Sequence, residues 1–157
     1  MKSQYNITEL AEQLMLNARN KKDVIVDTAN VEAIANGDVK LHLKELDETY
    51  TMNDTCLNQM ATKVGISKKY LDKMRDGHNA LLQDNFNYWM HKTPKQQLIR
   101  TLDNKARAFL SDKYRRVDND EIASTVLPIL LDKGYEIISS AITDSKMYIK
   151  ARLPKLE

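Results

Sequence analysis

The sequence predicts an α+β protein in which a mainly helical N-terminal half precedes an antiparallel sheet that one helix covers. Two observations indicate this class. Apolar residues recur at helical spacing in much of the first half, and apolar and polar residues alternate along several segments after Pro94. This division predicts a mainly helical subdomain over residues 1–93 and a sheet-and-helix subdomain over residues 94–157, which could also form one compact domain.

The N-terminal half is predicted to begin with an amphipathic helix, because Ile7, Leu10 and Leu14 fall on one helical face. The segment DVIVD, residues 23–27, is typical of a short strand. Apolar and polar residues then alternate along VKLHLKE, residues 39–45, and the chain turns into a second strand. Together these two strands predict a small hairpin.

Residues 57–74, LNQMATKVGISKKYLDKM, match the helix-turn-helix pattern. Ala61 is small where the two helices would cross, and Gly65 can adopt the left-handed conformation that the tight turn requires. The second helix would expose Lys68, Lys69 and Lys73 to a DNA groove or its phosphates. The same pattern is also a common way to pack two helices. A third helix over residues 79–92 follows, and we expect Trp89 to anchor it in the core.

After Pro94 the pattern predicts the order β-β-α-β-β. The first hairpin joins QQLIRTL, residues 96–102, to KARAFLS, residues 105–111, through a two-residue turn at Asp103 and Asn104. The residues that this turn pairs, and so places on one face, are Leu102 with Lys105, Arg100 with Arg107, and Leu98 with Phe109.

The helix between the hairpins is predicted to start at a cap, Asp118 or Asn119, and to end at Gly134. A second hairpin then joins residues 135–143 to residues 146–153. With a three-residue loop this hairpin pairs Glu136 with Arg152 and Ile138 with Lys150. The helix must cover the apolar face of the resulting antiparallel sheet.

If both hairpins join one sheet, its outer face is basic with interleaved aromatic rings. The residues of this face are Arg100, Lys105, Arg107, Phe109, Tyr148, Lys150 and Arg152. Such a face can bind single-stranded nucleic acid through charge and base stacking. Two alternatives stay open. The face is simply the polar side of an antiparallel sheet, or it packs on the helical half and its arginines pair with the acidic first fifty residues.

The connection RAFLSDKYRRVDND, residues 107–120, concentrates charge around one tyrosine. Arg115 and Arg116 stand beside the start of the predicted helix, where the backbone favours anions. These two arginines could therefore hold a phosphate, and Lys113 and Tyr114 beside them are further candidate nucleic-acid-binding residues. The arginines could equally pair with the neighbouring aspartates.

This connection, extended as RAFLSDKYRRVDNDEI, resembles the signature of a phage- and plasmid-associated family, domain of unknown function 932. The order of the surrounding segments is similar as well: the helix-turn-helix stretch, the strand LIRTL, the signature, and MYIKARLPKL. The resemblance covers about residues 38–155 and implies a mobile-element setting but no activity. Family members usually continue further, which implies a short or C-terminally truncated member. The family usually has arginine at Lys113, and a lysine there is unsuited to bidentate anion binding.

Other classes find less support in the sequence. The single cysteine, Cys56, excludes an intrachain disulfide and indicates a cytoplasmic protein. It begins a predicted helix, where its thiolate would be favoured, but no base accompanies it. No apolar run is long enough to span a membrane, and neither a metal-ligand spacing nor a Gly-rich phosphate loop occurs.

We therefore expect no membrane association, no catalytic residues, no metal and no cofactor. The predicted function is non-catalytic binding of single-stranded or duplex nucleic acid in a phage or plasmid context, through the basic sheet face. The net charge of +2 gives no overall bias toward nucleic acid, but residues 91–116 hold eight lysines and arginines against two aspartates. The alternative is a protein-interaction module that engages a host or defence protein through the same basic surface.

Overall fold

The computed structural model describes residues 3–154 and divides the chain into two compact units. The central unit comprises residues 21–114. The terminal unit combines the segment before residue 21 with the segment after residue 114. The division therefore falls at residues 20 and 114, so that the two ends of the chain fold together.

The central unit is a six-stranded mixed sheet with the strand order β2-β6-β7-β5-β4-β3. Its strands are β2 (Lys21–Asp27), β3 (Val31–Asn36), β4 (Asp38–Leu43), β5 (Glu48–Met52), β6 (Gln96–Leu102) and β7 (Lys105–Ser111). Neighbouring strands are antiparallel except β5 and β7, which pair in parallel through Thr51–Lys105 and Met52–Ala106.

Three helices pack on this sheet: α2 (Asp54–Val64), α3 (Lys68–Arg75) and α4 (Asn79–Lys92). Their buried residues share one core with the inward side chains of the strands. Its largest fully buried side chains include Phe86, Phe109, Leu41 and Leu57. Each contributes roughly 1.5–3 kcal/mol by leaving water, so this layer is the main source of the unit's stability.

Two helices joined by a tight turn lie where the sequence predicts them, with α2 ending at Val64 and α3 beginning at Lys68. Asn53 caps α2 by accepting a hydrogen bond from the Cys56 backbone N–H, and Ser67 caps α3 in the same way. Gly65 ends α2 at a φ of 79°, in the left-handed region that a side chain disfavours. The tight turn then closes as the Ile66 N–H donates to the Ala61 carbonyl, at 2.8 Å.

The terminal unit is a three-stranded antiparallel sheet with two helices. Its elements are β1 (Ser3–Tyr5), α1 (Ile7–Asn20), α5 (Asn119–Asp132), β8 (Glu136–Ile142) and β9 (Met147–Arg152). The strand order is β1-β8-β9. A small core forms around Leu10, Leu14 and Ala123. The predicted pair of Glu136 and Arg152 is confirmed, but Lys150 lies opposite Ser139 because the register shifts between Ile137 and Ser139.

The predicted order of a helical half followed by a β-β-α-β-β sheet is wrong. The first half supplies β2 to β5 to the same sheet as β6 and β7, whereas β8 pairs with β1 on one side and with β9 on the other. The physical reason lies in β6, whose residues Gln97 to Thr101 are all buried. A strand buried in this way needs a hydrogen-bonding neighbour on both edges, and β2 supplies the second one.

The first hairpin also departs from its predicted register. Leu102 pairs with Lys105 as expected, but a bulge between Arg100 and Thr101 places Arg100 opposite Ala108 and Thr101 opposite Ala106, so that Arg107 is the extra residue of the bulge. Phe109 therefore lies opposite Ile99 and faces the helices. Burial of this large aromatic ring in the core is the gain that favours the shifted register.

Candidate nucleic-acid interface

The basic sheet face expected from the sequence does not form. Its residues divide between two sheets: Arg100, Lys105, Arg107 and Phe109 belong to the six-stranded sheet, and Tyr148, Lys150 and Arg152 to the three-stranded one. Phe109 is only 1% exposed and cannot stack on a base. Arg100 is buried too, and its guanidinium donates to both carboxylate oxygens of Asp23 at 3.2 Å.

The remaining residues of that expected face are more accessible. Lys105, Tyr148, Lys150 and Arg152 are exposed, and Arg107 is half-buried. Arg152 forms an exposed ion pair with Glu136 at 3.0 Å. These side chains therefore belong to two different sheets and do not share one sheet face.

The charged connection after β7 is exposed from Asp112 to Val117. It begins with a turn, in which the Tyr114 N–H donates to the Ser111 carbonyl at 3.0 Å. Lys113, Tyr114, Arg115 and Arg116 all lie in this exposed segment, which joins the central unit to the terminal unit. Their role in binding nucleic acid stays a prediction.

Helix α3 exposes the three lysines that the sequence singled out. Lys68 forms an ion pair with Asp72 at 3.4 Å within the helix, whereas no ion pair is seen for Lys69 or Lys73 among residues 3–154. Lys69 and Lys73 are four residues apart and so share one side of the helix. This side of α3 therefore carries two positive charges, which is little for a helix that binds a DNA groove.

A different surface combines aromatic rings with positive charge. Tyr88 and Trp89, on α4, are 55% and 43% exposed, and their rings meet edge to face with centroids 4.9 Å apart. The Lys92 ammonium lies 5.4 Å from both ring centroids and donates to the Tyr88 hydroxyl at 3.2 Å. We name these three residues the α4 surface. Two accessible rings beside a cation match the requirements for stacking on nucleic-acid bases.

The α4 surface borders a cleft of about 190 Å³, here named the Trp89 cleft. Its lining residues are Thr28, Lys63, Val64, Trp89, Met90, Thr93, Lys95, Gln97 and Phe109. None of these residues is acidic, and the two lysines are exposed. The cleft therefore presents an aromatic wall and two positive charges to whatever enters it.

Hydrogen bonds to the edge strand β3 fix the orientation of α4. Gln83, Asn87 and His91 lie four residues apart along the helix, and each bonds to the β3 backbone. Asn87 accepts from the Ala33 N–H at 2.7 Å and donates to the Ala33 carbonyl at 3.0 Å. These side chains bond the free edge of β3 and fix which side of α4 faces it.

Thr28 builds the floor of the Trp89 cleft. This residue begins a single 3₁₀ turn, Thr28–Asn30, and is only 5% exposed. Its hydroxyl donates to the Met90 carbonyl at 2.9 Å and accepts from the Lys95 N–H at 3.0 Å. Its own backbone N–H donates to the Lys95 carbonyl. One side chain thereby ties the end of α4 to the start of β6.

One glutamine lines the cleft, and a second bonds to the backbone of Phe109, which also lines it. Gln59 of α2 accepts from the Phe109 backbone N–H at 2.9 Å, which holds β7 in place where its pairing with β5 has ended. Gln97 of β6 lines the cleft and is 5% exposed. Its side-chain oxygen is buried and accepts no hydrogen bond from the described residues. An unsatisfied buried acceptor is costly, which makes Gln97 the least satisfied group of the cleft.

The surroundings of Cys56, Tyr50 and Glu48 shift the pKa values of these groups. Burial raises the pKa of the Cys56 thiol to about 12, so the thiolate that a nucleophile requires is disfavoured. Burial, followed by a hydrogen bond to Glu48, raises the pKa of Tyr50 to about 12. Hydrogen bonds from Lys22 and Tyr50 lower the pKa of Glu48. Among residues 3–154 no group of three or more His, Cys, Asp or Glu side chains could hold a metal ion.

Sequence reasoning missed the α4 surface and the Trp89 cleft. It assigned Trp89 to the core on the strength of its size, although a signal in the sequence pointed elsewhere. Leu82, Phe86 and Met90 recur at four-residue spacing and form the buried stripe of α4, and Trp89 lies beside that stripe. The lysines and Gln97 come from α2, the loop after α4, and β6, so only the tertiary fold brings them to Trp89.

Comparison of the chain with protein-family models, curated proteins and solved structures finds no match. The resemblance to domain of unknown function 932 therefore stays a prediction. Within the described range of 3–154, no helix is long and apolar enough to cross a membrane.

Proposed function

We propose that this protein binds single-stranded nucleic acid without catalysis, through the α4 surface and the adjoining Trp89 cleft. A phage or plasmid setting is part of the proposal and is supported by the family resemblance alone. The observation that carries the proposal is the pair of accessible rings, Tyr88 and Trp89, packed edge to face beside Lys92.

Stacking and charge act together at such a surface. Each base that stacks on an aromatic side chain contributes about 1–3 kcal/mol, whatever its sequence, because every base has a π face. Lys92, Lys63 and Lys95 supply positive charge along the same region, and no acidic residue lines the cleft to repel a phosphate. Duplex DNA fits less well, since its bases are stacked on each other and unavailable to the two rings.

The experiment is fluorescence anisotropy with labelled strands of roughly 12 nucleotides, single-stranded and duplex, at about 50 and 200 mM salt. We expect the single strand to bind more tightly than the duplex, and its binding to weaken as the salt concentration rises. Trp89→Ala should weaken single-strand binding by about 1–3 kcal/mol, or roughly five- to 150-fold in Kd. Lys92→Met should reduce the slope of log Kd against log salt concentration by about the contribution of one phosphate contact.

Two control variants test the location of binding. Tyr70→Ala removes a comparably exposed ring from α3, and Arg115→Ala removes one charge of the exposed connection. Neither should change single-strand binding as much as Trp89→Ala. Equal losses in all variants would indicate diffuse electrostatic attraction, and a loss confined to Tyr70→Ala would move the site to α3. Absence of binding by folded protein at low salt would refute the proposal.

A protein-interaction module is the second candidate, and a different surface favours it. Helix α5 exposes Ile122, Val126 and Ile129, which recur on one side of the helix. An exposed apolar stripe of this kind is typical of surfaces that pack against another protein. If the protein binds a target independently of salt and Ile129→Lys abolishes that binding, this second function is favoured over nucleic-acid binding.

A further inference from the structure

The Trp89 cleft contains a polar group that the α4 surface does not use. Gln97 is nine-tenths buried, lines the cleft, and has a side-chain oxygen that accepts no hydrogen bond from the described residues. A ligand in the cleft reaches this buried oxygen only after the amide turns about its terminal torsion, which is soft. A ligand that offers a donor next to an acceptor would satisfy this amide.

We infer that the Trp89 cleft binds one nucleotide, with its base against Trp89, its base edge on the Gln97 amide, and its phosphate between Lys63 and Lys95. This inference rests on the proposed function and deepens it, because it assigns base recognition to one position of the bound strand. The same chemistry fits a free nucleotide and a nucleotide turned out of a strand.

The size and charge of the cleft agree with this ligand. Its volume of about 190 Å³ is below the roughly 300–1,000 Å³ of pockets that enclose drug-sized ligands, so it accommodates one ring system rather than a larger molecule. Lys63 and Lys95 are exposed at the cleft, where an anionic group attached to the ring can stay near water. A neutral aromatic ligand would leave both charges unused.

The amide of Gln97 also indicates which base fits best. A glutamine amide forms two parallel hydrogen bonds with adenine, accepting from its exocyclic amine and donating to the adjacent ring nitrogen. Both ends of the amide are then satisfied at once. We therefore expect adenine to bind more tightly than the other bases.

The experiment uses the full chain and the fluorescence of Trp89, which is its single tryptophan. AMP, GMP, CMP, UMP and adenosine are titrated, and quenching of Trp89 reports occupancy of the cleft. We expect AMP to bind roughly fivefold or more tightly than UMP, and adenosine to bind more weakly than AMP. Gln97→Met keeps the side-chain length but removes the amide, and it should abolish the preference for AMP.

Matched controls separate recognition from damage to the fold. Gln96→Met alters the exposed neighbouring residue on β6 and should keep the preference. Lys63→Met and Lys95→Met should each weaken the binding of AMP but leave the binding of adenosine unchanged. Lys40→Met, on β4, should change the binding of neither ligand. The thermal midpoint of each variant verifies that it is folded. Equal quenching by all four nucleotides, unchanged in Gln97→Met, would overturn the inference, and so would the absence of quenching.

The labelled strands distinguish this failure from failure of the proposed function. In one outcome, strands bind and Trp89→Ala weakens their binding, but there is no base preference and Gln97→Met has no effect. This outcome would overturn the nucleotide site and leave single-strand binding supported. Nucleotides that quench Trp89 while strands do not bind would support the site and overturn single-strand binding.

Discussion

Replacing Thr28 with valine tests whether one hydroxyl holds the Trp89 cleft together. Valine has almost the same shape but no hydroxyl, so Thr28→Val removes the hydrogen bonds to the Met90 carbonyl and from the Lys95 N–H, at 2.9 and 3.0 Å. Thr28 is 5% exposed, which limits the access of water to the two backbone groups that lose their partner.

The size of the effect follows from these two contacts. A buried group left without its hydrogen bond costs about 1–3 kcal/mol. The cleft is open to solvent on one side, so each of the two backbone groups should cost about 1 kcal/mol, the lower end of that range. Thr28→Val should therefore lower the free energy of unfolding by about 2 kcal/mol. For a chain of this length the corresponding decrease in Tm is roughly 4–8 °C.

Chemical denaturation followed by Trp89 fluorescence measures this change, because Trp89 lines the cleft that Thr28 supports. Thr93→Val is the matched control. Thr93 lines the same cleft but is exposed, and no hydrogen bond to its hydroxyl is seen within residues 3–154. Thr93→Val should therefore change the free energy of unfolding by less than about 0.5 kcal/mol. If Thr28→Val is as stable as the wild type, the reasoning that the hydroxyl ties α4 to β6 is refuted.

Three further predictions concern single side chains of the central unit. Burial raises the pKa of Cys56 to about 12, so a thiol reagent should label the protein rapidly only after denaturation; rapid native labelling would contradict this. The pKa of Tyr50 is raised above its ordinary value of 10 to about 12, so its stabilising effect is complete below pH 10 and is lost as the pH rises toward 12. Tyr50→Phe, which cannot bond Glu48, should therefore show a smaller stability loss across that range in urea titrations at successive pH values. Asn87→Ala removes two hydrogen bonds to β3 and should lower the free energy of unfolding by about 1–3 kcal/mol. Asn85→Ala should have a smaller effect, because the Asn85 amide donates to a carbonyl of its own helix. Equal effects of the two variants would refute the role of Asn87 at the edge strand.

Local chemistry explains why the helix-turn-helix unit could be predicted. The conformation of Gly65 and the cap at Ser67 depend on residues within one turn of the chain, and both have few substitutes. The strand at Val39 to Leu43 could be predicted for a similar reason, because its alternation is visible in five consecutive residues. Signals of this kind are complete within a short window of sequence.

Strand pairing could not be predicted in the same way. The parallel pair of β5 and β7 joins Thr51 to Lys105, with three helices between them in sequence, and alternation does not specify which strand lies beside which. The bulge adds one residue, Arg107, to β7 and so turns Phe109 to the opposite face relative to the expected register. That shift removed Phe109 from the expected stacking surface.

The same limits explain the outcome for the site. The basic sheet face required two hairpins to share one sheet, which is a non-local condition. The α4 surface requires only that Trp89 lie beside a buried stripe and not within it, which helical spacing could have shown. The Trp89 cleft could be predicted only in part. Helical spacing could have shown that Trp89 lies beside the buried stripe, but Gln97 and Lys63 come close to it only through the tertiary fold.

The construction of α4 leads to one more prediction, which separates function from folding. The helix is held on one side by its buried apolar stripe and on another by the side chains that bond β3. Trp89 belongs to neither set and remains 43% exposed, so Trp89→Ala should weaken single-strand binding more than it weakens the fold. Phe86→Ala provides the contrast, since it removes a fully buried ring and should cost about 3–5 kcal/mol of stability. If Trp89→Ala destabilises the protein as strongly as Phe86→Ala, Trp89 serves the fold, and its exposure carries no argument for binding.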